Sequence, residues 1–318
     1  MEKIVVTGGA GFIGSHFIKL LLKKTKNYKV LNIDKLTYAA NLKTLSSIEH
    51  DTRYEFIQSD ICDIKRISSL VREADYIVNF AAESHVDRSI ADATDFIRSN
   101  VEGVQVLLDL IRSSKKIKRY LQISTDEVYG SAAQGSFKEM DPLNPSSPYS
   151  ASKASADLVI HSYIKTHGIP AVITRTTNNY GPYQFCEKLI PSFTTLALQN
   201  KPLPLYGNGN NIRDWIYVGD NCEALLAVLT EGQVGHVYNI GSQCEKSNIE
   251  ITQEILDILK KPWSLVQHVS DRPGHDTRYS LDTTKIKNEI GWSPRYSFHE
   301  SFPATIEWYK NNQSWWLR

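Results

Sequence analysis

The chain has 318 residues, enough to bury a sizeable core in one large or two unequal domains. Its 36 lysines and arginines face 35 aspartates and glutamates. This near-balance argues against a general binder of nucleic acid or anionic membrane, since those carry a basic excess.

Lys3-Ile4-Val5-Val6-Thr7 reads as a first strand. It lacks the layout of a signal peptide, and no apolar run reaches membrane length, so a cytoplasmic protein without membrane or nucleic-acid partners is expected. Further strands are expected over 30–34, 54–58, 76–80, 119–124 and 171–175, and helices over 12–24, 64–73, 101–114 and 149–167. Strand–helix alternation implies parallel strands with right-handed crossovers: an α/β, Rossmann-type doubly wound sheet. Uninterrupted apolar runs such as Ile4-Val5-Val6 suit a sheet covered on both faces. Beyond residue 176 prolines and glycines punctuate the chain, at Gly181-Pro182, Pro202, Pro204, Gly207, Gly209 and Pro273-Gly274, which points to a smaller, more irregular α/β domain. The expected division is 1–176 with a return segment near 212–242 for the first domain, and 177–211 with 243–318 for the second. Cys62, Cys186, Cys222 and Cys244 lie far apart and form no CxxC pair or zinc spacing, so free thiols and no metal are expected.

Gly8, Gly11 and Gly14, spaced by three, join the first strand to the first helix. Glycine permits the tight turn, lets the backbone approach a pyrophosphate and packs helix on strand, while the helix N-terminus offers N–H donors to the phosphates. Asp34 closes the second strand twenty residues on, where an acid accepts bonds from the adenosine ribose and repels a 2′-phosphate. The pattern points to NAD, with Lys35 beside Asp34 leaving room for NADP. Asp60-Ile61 ends the third strand at the adenine's border, and Phe80-Ala81-Ala82 ends the fourth with small residues where a cofactor passes closely.

Tyr149 and Lys153 share one helix face at i,i+4, after Ser147 as cap and Pro148 in the first turn. A free tyrosine, with a pKa of about 10, is too weak a base at neutral pH, and a neighbouring ammonium favours its phenolate. Lys153 can also hold the nicotinamide ribose. The discriminating segment is Ser124-Thr125-Asp126-Glu127-Val128-Tyr129-Gly130, which follows the fifth strand at the carboxyl edge where open α/β sheets bind ligands. Thr125 can bond a substrate hydroxyl and Tyr149. Asp126 and Glu127 supply what elimination requires: an acid for the leaving hydroxyl and a base for a carbon-bound proton.

These segments, together with Ala81-Ala82-Glu83-Ser84-His85-Val86-Asp87-Arg88-Ser89, Asn178-Asn179-Tyr180-Gly181-Pro182-Tyr183, Glu187-Lys188-Leu189-Ile190-Pro191, Arg213-Asp214-Trp215 and Asp271-Arg272-Pro273-Gly274-His275-Asp276, resemble the extended short-chain dehydrogenase/reductases. Within that superfamily of NAD-dependent epimerases and dehydratases, the chain is similar nearly end to end to the dTDP-glucose 4,6-dehydratases. Related epimerases share the glycine turn and the Tyr–Lys pair but usually lack the Asp-Glu pair. Thr176-Thr177 stands where the family leads one to expect Cys-Ser, and Asn221 where histidine is common.

The resemblance implies a lyase that oxidises carbon 4 of a nucleotide-bound hexose, eliminates water across carbons 5 and 6, and returns the hydride to carbon 6. Tyr149 is then the first base, Glu127 the base at carbon 5 and Asp126 the acid at the 6-hydroxyl. It extends cofactor contacts to Phe12, Ile13, Lys35, Leu36, Thr37, Ser84, Ser99 and Asn179. Substrate contacts extend to Ser84, Asn178, Lys188, Leu189, Pro204, Tyr206, Arg213, Asn248, Arg272 and His275, which makes the second domain a nucleotide-sugar-binding one. A homodimer, paired through the 101–114 and 149–167 helices, is also implied. A UDP-sugar dehydratase and a nucleotide-sugar 4-epimerase are the alternatives, separable by the nucleotide accepted and by product mass. A non-catalytic dinucleotide-binding protein would be signalled by a broken Tyr–Lys or Asp-Glu pair, and both are intact.

Overall fold

The structure, a computed structural model, describes residues 1–317. The chain begins β1 (Glu2–Thr7), α1 (Phe12–Lys24), β2 (Tyr28–Asp34), β3 (Tyr54–Gln58), α2 (Ile64–Arg72), β4 (Tyr76–Asn79), α3 (Val86–Ala91), α4 (Thr94–Ile97), α5 (Gly103–Arg112), β5 (Arg119–Thr125), α6 (Pro148–His167) and β6 (Ala171–Thr176). It continues β7 (Asn178–Tyr180), α7 (Leu189–Leu198), β8 (Leu203–Tyr206), β9 (Ile212–Tyr217), α8 (Val218–Glu231), β10 (Val237–Ile240), β11 (Glu245–Ser247), α9 (Asn248–Leu259), β12 (Val266–Val269), α10 (Thr284–Ile290), α11 (Phe298–Asn311) and α12 (Gln313–Trp316).

A seven-stranded sheet runs β10-β6-β5-β4-β1-β2-β3, every neighbouring pair parallel. Six of these strands follow the 3-2-1-4-5-6 order of dinucleotide-binding folds, which reverses between β1 and β4 and opens a crevice at their carboxyl ends. The unbroken apolar run of β1 serves two cores, because successive side chains leave opposite faces. Ile4 and Val6 pack with Phe17 and Leu21 of α1 and Leu225 of α8, whereas Val5 packs with Ile67 of α2, Leu107 of α5 and Ile160 of α6.

The start of the helix expected over 101–114 differs. A wide π-helical turn over Arg98–Glu102 leads into α5. It carries Asn100 inward, where the side chain accepts from the Glu83 N–H at 2.9 Å and donates to the Ser152 hydroxyl at 2.8 Å. These bonds offset the poorer helical geometry and tie the loop after β4 to α6. The short α3 and α4 carry too little apolar periodicity to be anticipated from sequence.

Within 212–242 the chain divides. β9 joins a three-stranded sheet, β11-β9-β7, while α8 and β10 return to the large lobe. The two-stranded β12-β8 sheet and helices α7, α9 and α11 complete the small lobe around Tyr180, Phe193, Trp215, Ile255 and Phe302. Among the described residues no helix is long and apolar enough to cross a membrane.

Candidate active site

The two lobes share one cavity of about 530 Å³, within the range of small-molecule sites. Every residue expected to bind or react lines it except Leu36. Leu36 adopts a left-handed φ of 59° and contributes its N–H, which bonds Asp34 Oδ1 at 2.8 Å. Its part is to fix the acid rather than to meet a ligand.

The cofactor end of the cavity is largely backbone. Gly8 has φ 70°, and a methyl group there would sit 2.5 Å from the Ala81 nitrogen, so only glycine lets β1 and β4 diverge at the crevice. A methyl at Gly14 would sit 2.5 Å from the Gly8 carbonyl, which lets α1 lie against the turn. Gly11 caps α1 without a side-chain bond, leaving first-turn N–H groups and the positive helix end for an anion. Asp34 accepts from the Ala10 N–H at 2.9 Å as well as from Leu36, so each carboxylate oxygen is anchored with a lone pair to spare. Burial raises its pKa, and those two N–H groups pull it back down. Lys35 is committed to Asp60 at 3.0 Å, and Arg98 reaches the same carboxylate at 3.5 Å. Thr37, Ile61, Phe80, Ala81, Ala82 and Ser99 complete this end. Ser124, Asn178 and Asn179 each hold a buried side-chain oxygen that no protein group satisfies among the described residues. Such atoms are nearly always paired in folded proteins, and a dinucleotide offers the missing donors. The donor set therefore fits NAD.

The side chains expected to react come from the end of β5, the 3-10 turn that follows it and the start of α6. Thr125 ends β5, accepts from the Glu127 N–H at 3.3 Å and donates to Asp126 Oδ1 at 3.1 Å. Ser147 caps α6 by accepting from the Ser150 N–H at 3.1 Å, with Pro148 in the first turn, and this sets Tyr149 at the helix start. The Tyr149 N–H donates to the Ser89 hydroxyl at 3.1 Å and its ring meets Phe96 edge-on. Lys153, one turn on, donates to the Ile123 carbonyl at 2.6 Å, and burial lowers its pKa to about 8. The ammonium is thus engaged by a backbone carbonyl. Burial, Glu127 and Asp126 instead raise the phenol's pKa, with Thr125 pulling it down.

The adjacent acids sit in different fields. Burial, then Glu127, pushes Asp126 well above the carboxylate range, and its Oδ2 has no protein partner. Burial also raises Glu127, but Arg272, Lys188 and Arg213 all oppose the rise. One acid is therefore held protonated while cations draw the other toward its carboxylate.

Those cations come from distant segments. Lys188 precedes α7 and donates to the Ser84 carbonyl at 2.7 Å. Arg213 of β9 donates to the carbonyls of Ile212 at 2.8 Å and Asp276 at 3.0 Å, and stacks on Tyr279 at 4.2 Å. Arg272 approaches Asp87 at 3.5 Å and keeps a buried, unpartnered Nε. His275 pairs with Asp271 at 2.6 Å. Leu189, Pro204, Tyr206 and Asn248 line the same space. Sequence reasoning passed over Asp87 and Tyr279. Asp87 accepts from the Tyr206 hydroxyl at 3.1 Å, and Tyr279 donates to Asp276 at 2.7 Å beneath Arg213. Asp87 lies within the segment that carries Ser84, whereas Tyr279 lies three residues beyond the segment that carries His275 and has no signal in the sequence.

A family model described as GDP-mannose 4,6 dehydratase matches residues 5–305. A dTDP-glucose 4,6-dehydratase of Streptomyces niveus is 48% identical over 318 residues, spanning 99% of this chain and 94% of that protein. The low-salt glycan biosynthesis protein Agl12 of Haloferax volcanii is 50% identical, spanning 96% of this chain and 98% of that protein. The crystal structure of DesIV, a dTDP-glucose 4,6-dehydratase from Streptomyces venezuelae with NAD and TYD bound, superposes with a TM-score of 0.97 at 47% identity, over 99% of this chain and 98% of that chain.

Proposed function

Because the chain belongs to the GDP-mannose 4,6 dehydratase family, and within it to the dTDP-glucose 4,6-dehydratases, we propose that it is an NAD-dependent lyase that converts dTDP-glucose into dTDP-4-keto-6-deoxyglucose. The observation that carries this reading is the buried Asp126-Glu127 pair coupled to Tyr149 in one cavity.

The glycine turn, Asp34, Ser124, Asn179 and Lys153 hold NAD, with the first-turn N–H groups of α1 on its pyrophosphate. Bound there, NAD supplies a hydride acceptor at sugar carbon 4 and a donor at carbon 6. Tyr149, whose phenolate the positive charge of bound NAD would favour against burial and the two acids, takes the proton of the 4-hydroxyl beside Thr125. The ketone formed at carbon 4 acidifies the carbon 5 proton, and Glu127, raised by burial against the opposing charges of Arg272, Lys188 and Arg213, removes it. Asp126, protonated through burial and the charge of Glu127, delivers its proton to the departing 6-hydroxyl, which leaves as water, and as hydride returns to carbon 6 the proton held by Glu127 returns to carbon 5. Arg213, Lys188, Arg272 and His275 hold the diphosphate.

Incubation with dTDP-glucose and, separately, UDP-glucose tests the reading. The dTDP product should weigh one water less than its substrate, with no net NADH. A product of unchanged mass makes the protein an epimerase, and preference for UDP-glucose moves it to the other nucleotide.

We propose a homodimer paired through α5 and α6, which pack against each other. Leu158 on α6 is 60% exposed, and a second copy packed on this helix would cover it. Leu158→Arg should convert the dimer to monomer in size-exclusion chromatography, whereas a monomeric parent protein overturns the assignment. Among the described residues the cysteines form no disulfide, which suits a reducing compartment, and we place the protein in the cytoplasm.

A further inference from the structure

One wall of the cavity carries the loop after β2, where Thr37, Ala39 and Ala40 line the space beside Asp34. The opposite wall carries the loop between β7 and α7, whose Phe185 and Glu187 line the same space. Tyr38 and Glu187 bridge the two loops: the phenol donates to Glu187 Oε1 at 3.2 Å, across 149 residues of sequence. The Tyr38 ring also meets Phe185 edge-on at 5.6 Å and lies beneath the Arg88 guanidinium at 3.6 Å. Burial and the charge of Glu187 raise the phenol's pKa, so it remains a donor at any working pH.

Both loops are held at their bases by bonds that do not involve this bridge. The Asn41 N–H bonds the Ala10 carbonyl of the glycine turn at 3.0 Å. On the other side the Tyr309 hydroxyl donates to the Gln184 carbonyl at 2.7 Å, and Lys188 holds the Ser84 carbonyl. Neither Tyr38 nor Phe185 belongs to a hydrophobic core among the described residues. The bridge therefore contributes little to folding, and its span between two loops that both line the cavity calls for another role.

We propose that Tyr38 and Glu187 form a latch across the crevice that retains NAD through successive turnovers. The inference rests on the NAD-recycling reading above. A reaction that returns its hydride within one cycle needs no cofactor exchange, so slow release does not limit it.

The test loads the holoenzyme with isotopically labelled NAD, adds excess unlabelled NAD, and follows retained label by rapid filtration. Tyr38→Phe keeps the ring and its contacts with Phe185 and Arg88 but removes the bond. It should release label roughly tenfold faster, the effect of one charge-assisted hydrogen bond, with kcat at saturating NAD and circular dichroism unchanged. Glu187→Leu should match it, and the double variant should be no faster than either single one. An unchanged release rate for Tyr38→Phe, or a double variant showing the product of two independent effects, overturns the latch. An unsubstituted protein that retains no NAD overturns the cofactor-recycling reading instead.

Discussion

The two ends of the cavity are made of different material. The cofactor end is backbone: a glycine turn, a helix N-terminus and an aspartate held by two N–H groups. The other end, the proposed catalytic one, is side chain: Thr125 at the end of β5, Asp126 and Glu127 in the turn that follows it, Tyr149 from α6, and cations from three segments between residues 188 and 272. The first tolerates no added atoms, because a methyl group would meet main chain that cannot move aside. The second tolerates shape-conserving changes but depends on each group's charge. Substitutions should therefore fail differently at the two ends.

The largest effects belong to the catalytic end. Tyr149→Phe and Glu127→Gln each preserve shape and remove one proton-transfer group, so each should lower kcat by roughly 10²- to 10⁴-fold. They should be told apart by the cofactor's absorbance during a single turnover. Tyr149→Phe blocks the first oxidation and leaves NAD oxidised. Glu127→Gln permits oxidation and then stalls, leaving NADH on the protein. Normal turnover by Glu127→Gln, or NADH accumulating in Tyr149→Phe, would break the division of labour between base and elimination.

Next come two changes at the cofactor end, where main chain should outweigh side chain. Gly8→Ala forces a side chain into φ 70° and against the Ala81 backbone, at a cost of about 2–4 kcal/mol. The protein should purify without NAD and with a lowered Tm. Asp34→Asn keeps one acceptor oxygen and should weaken NAD by about tenfold, with Tm near that of the parent protein. Calorimetric titration with NAD reads both. A larger loss for Asp34→Asn than for Gly8→Ala would invert the comparison.

The same contrast explains what could be read in the sequence. A backbone-built site writes its demands locally, so three glycines and an acid twenty residues on mark the turn, the helix and the end of β2 in the sequence itself. Ser147-Pro148 likewise marked the start of α6. A side-chain site is assembled by topology. Arg213 lies on a strand of the small sheet and Arg272 in a loop far along the chain, and only resemblance to a family put them together. Neither spacing nor periodicity could show that the Lys153 ammonium rests on the Ile123 carbonyl, or that Asn100 fastens Glu83 to Ser152 through a π-helical turn. Those contacts depend on which elements become neighbours.

The smallest predicted effect is on stability, and it reverses sign between the two ends. Burial and Glu127 raise Asp126 in the folded protein, whereas in the unfolded chain its pKa is about 3.9. Below that value both states hold the proton and the group does not alter stability. As pH rises, the unfolded chain ionises while the folded one resists, so wild-type stability falls from about pH 4 toward the raised folded value. Asp126→Asn removes the titrating group while keeping its shape and its bond from Thr125. It should therefore melt roughly 1–3 °C above wild type at pH 7, with the gap closing as pH falls toward 4. It should also lose elimination, because the amide has no proton to give. Gly8→Ala loses stability and function together, whereas Asp126→Asn should exchange function for stability. A melting gap that stays the same from pH 4 to pH 7 would mean that the proton on Asp126 is not what the buried site is paying to keep.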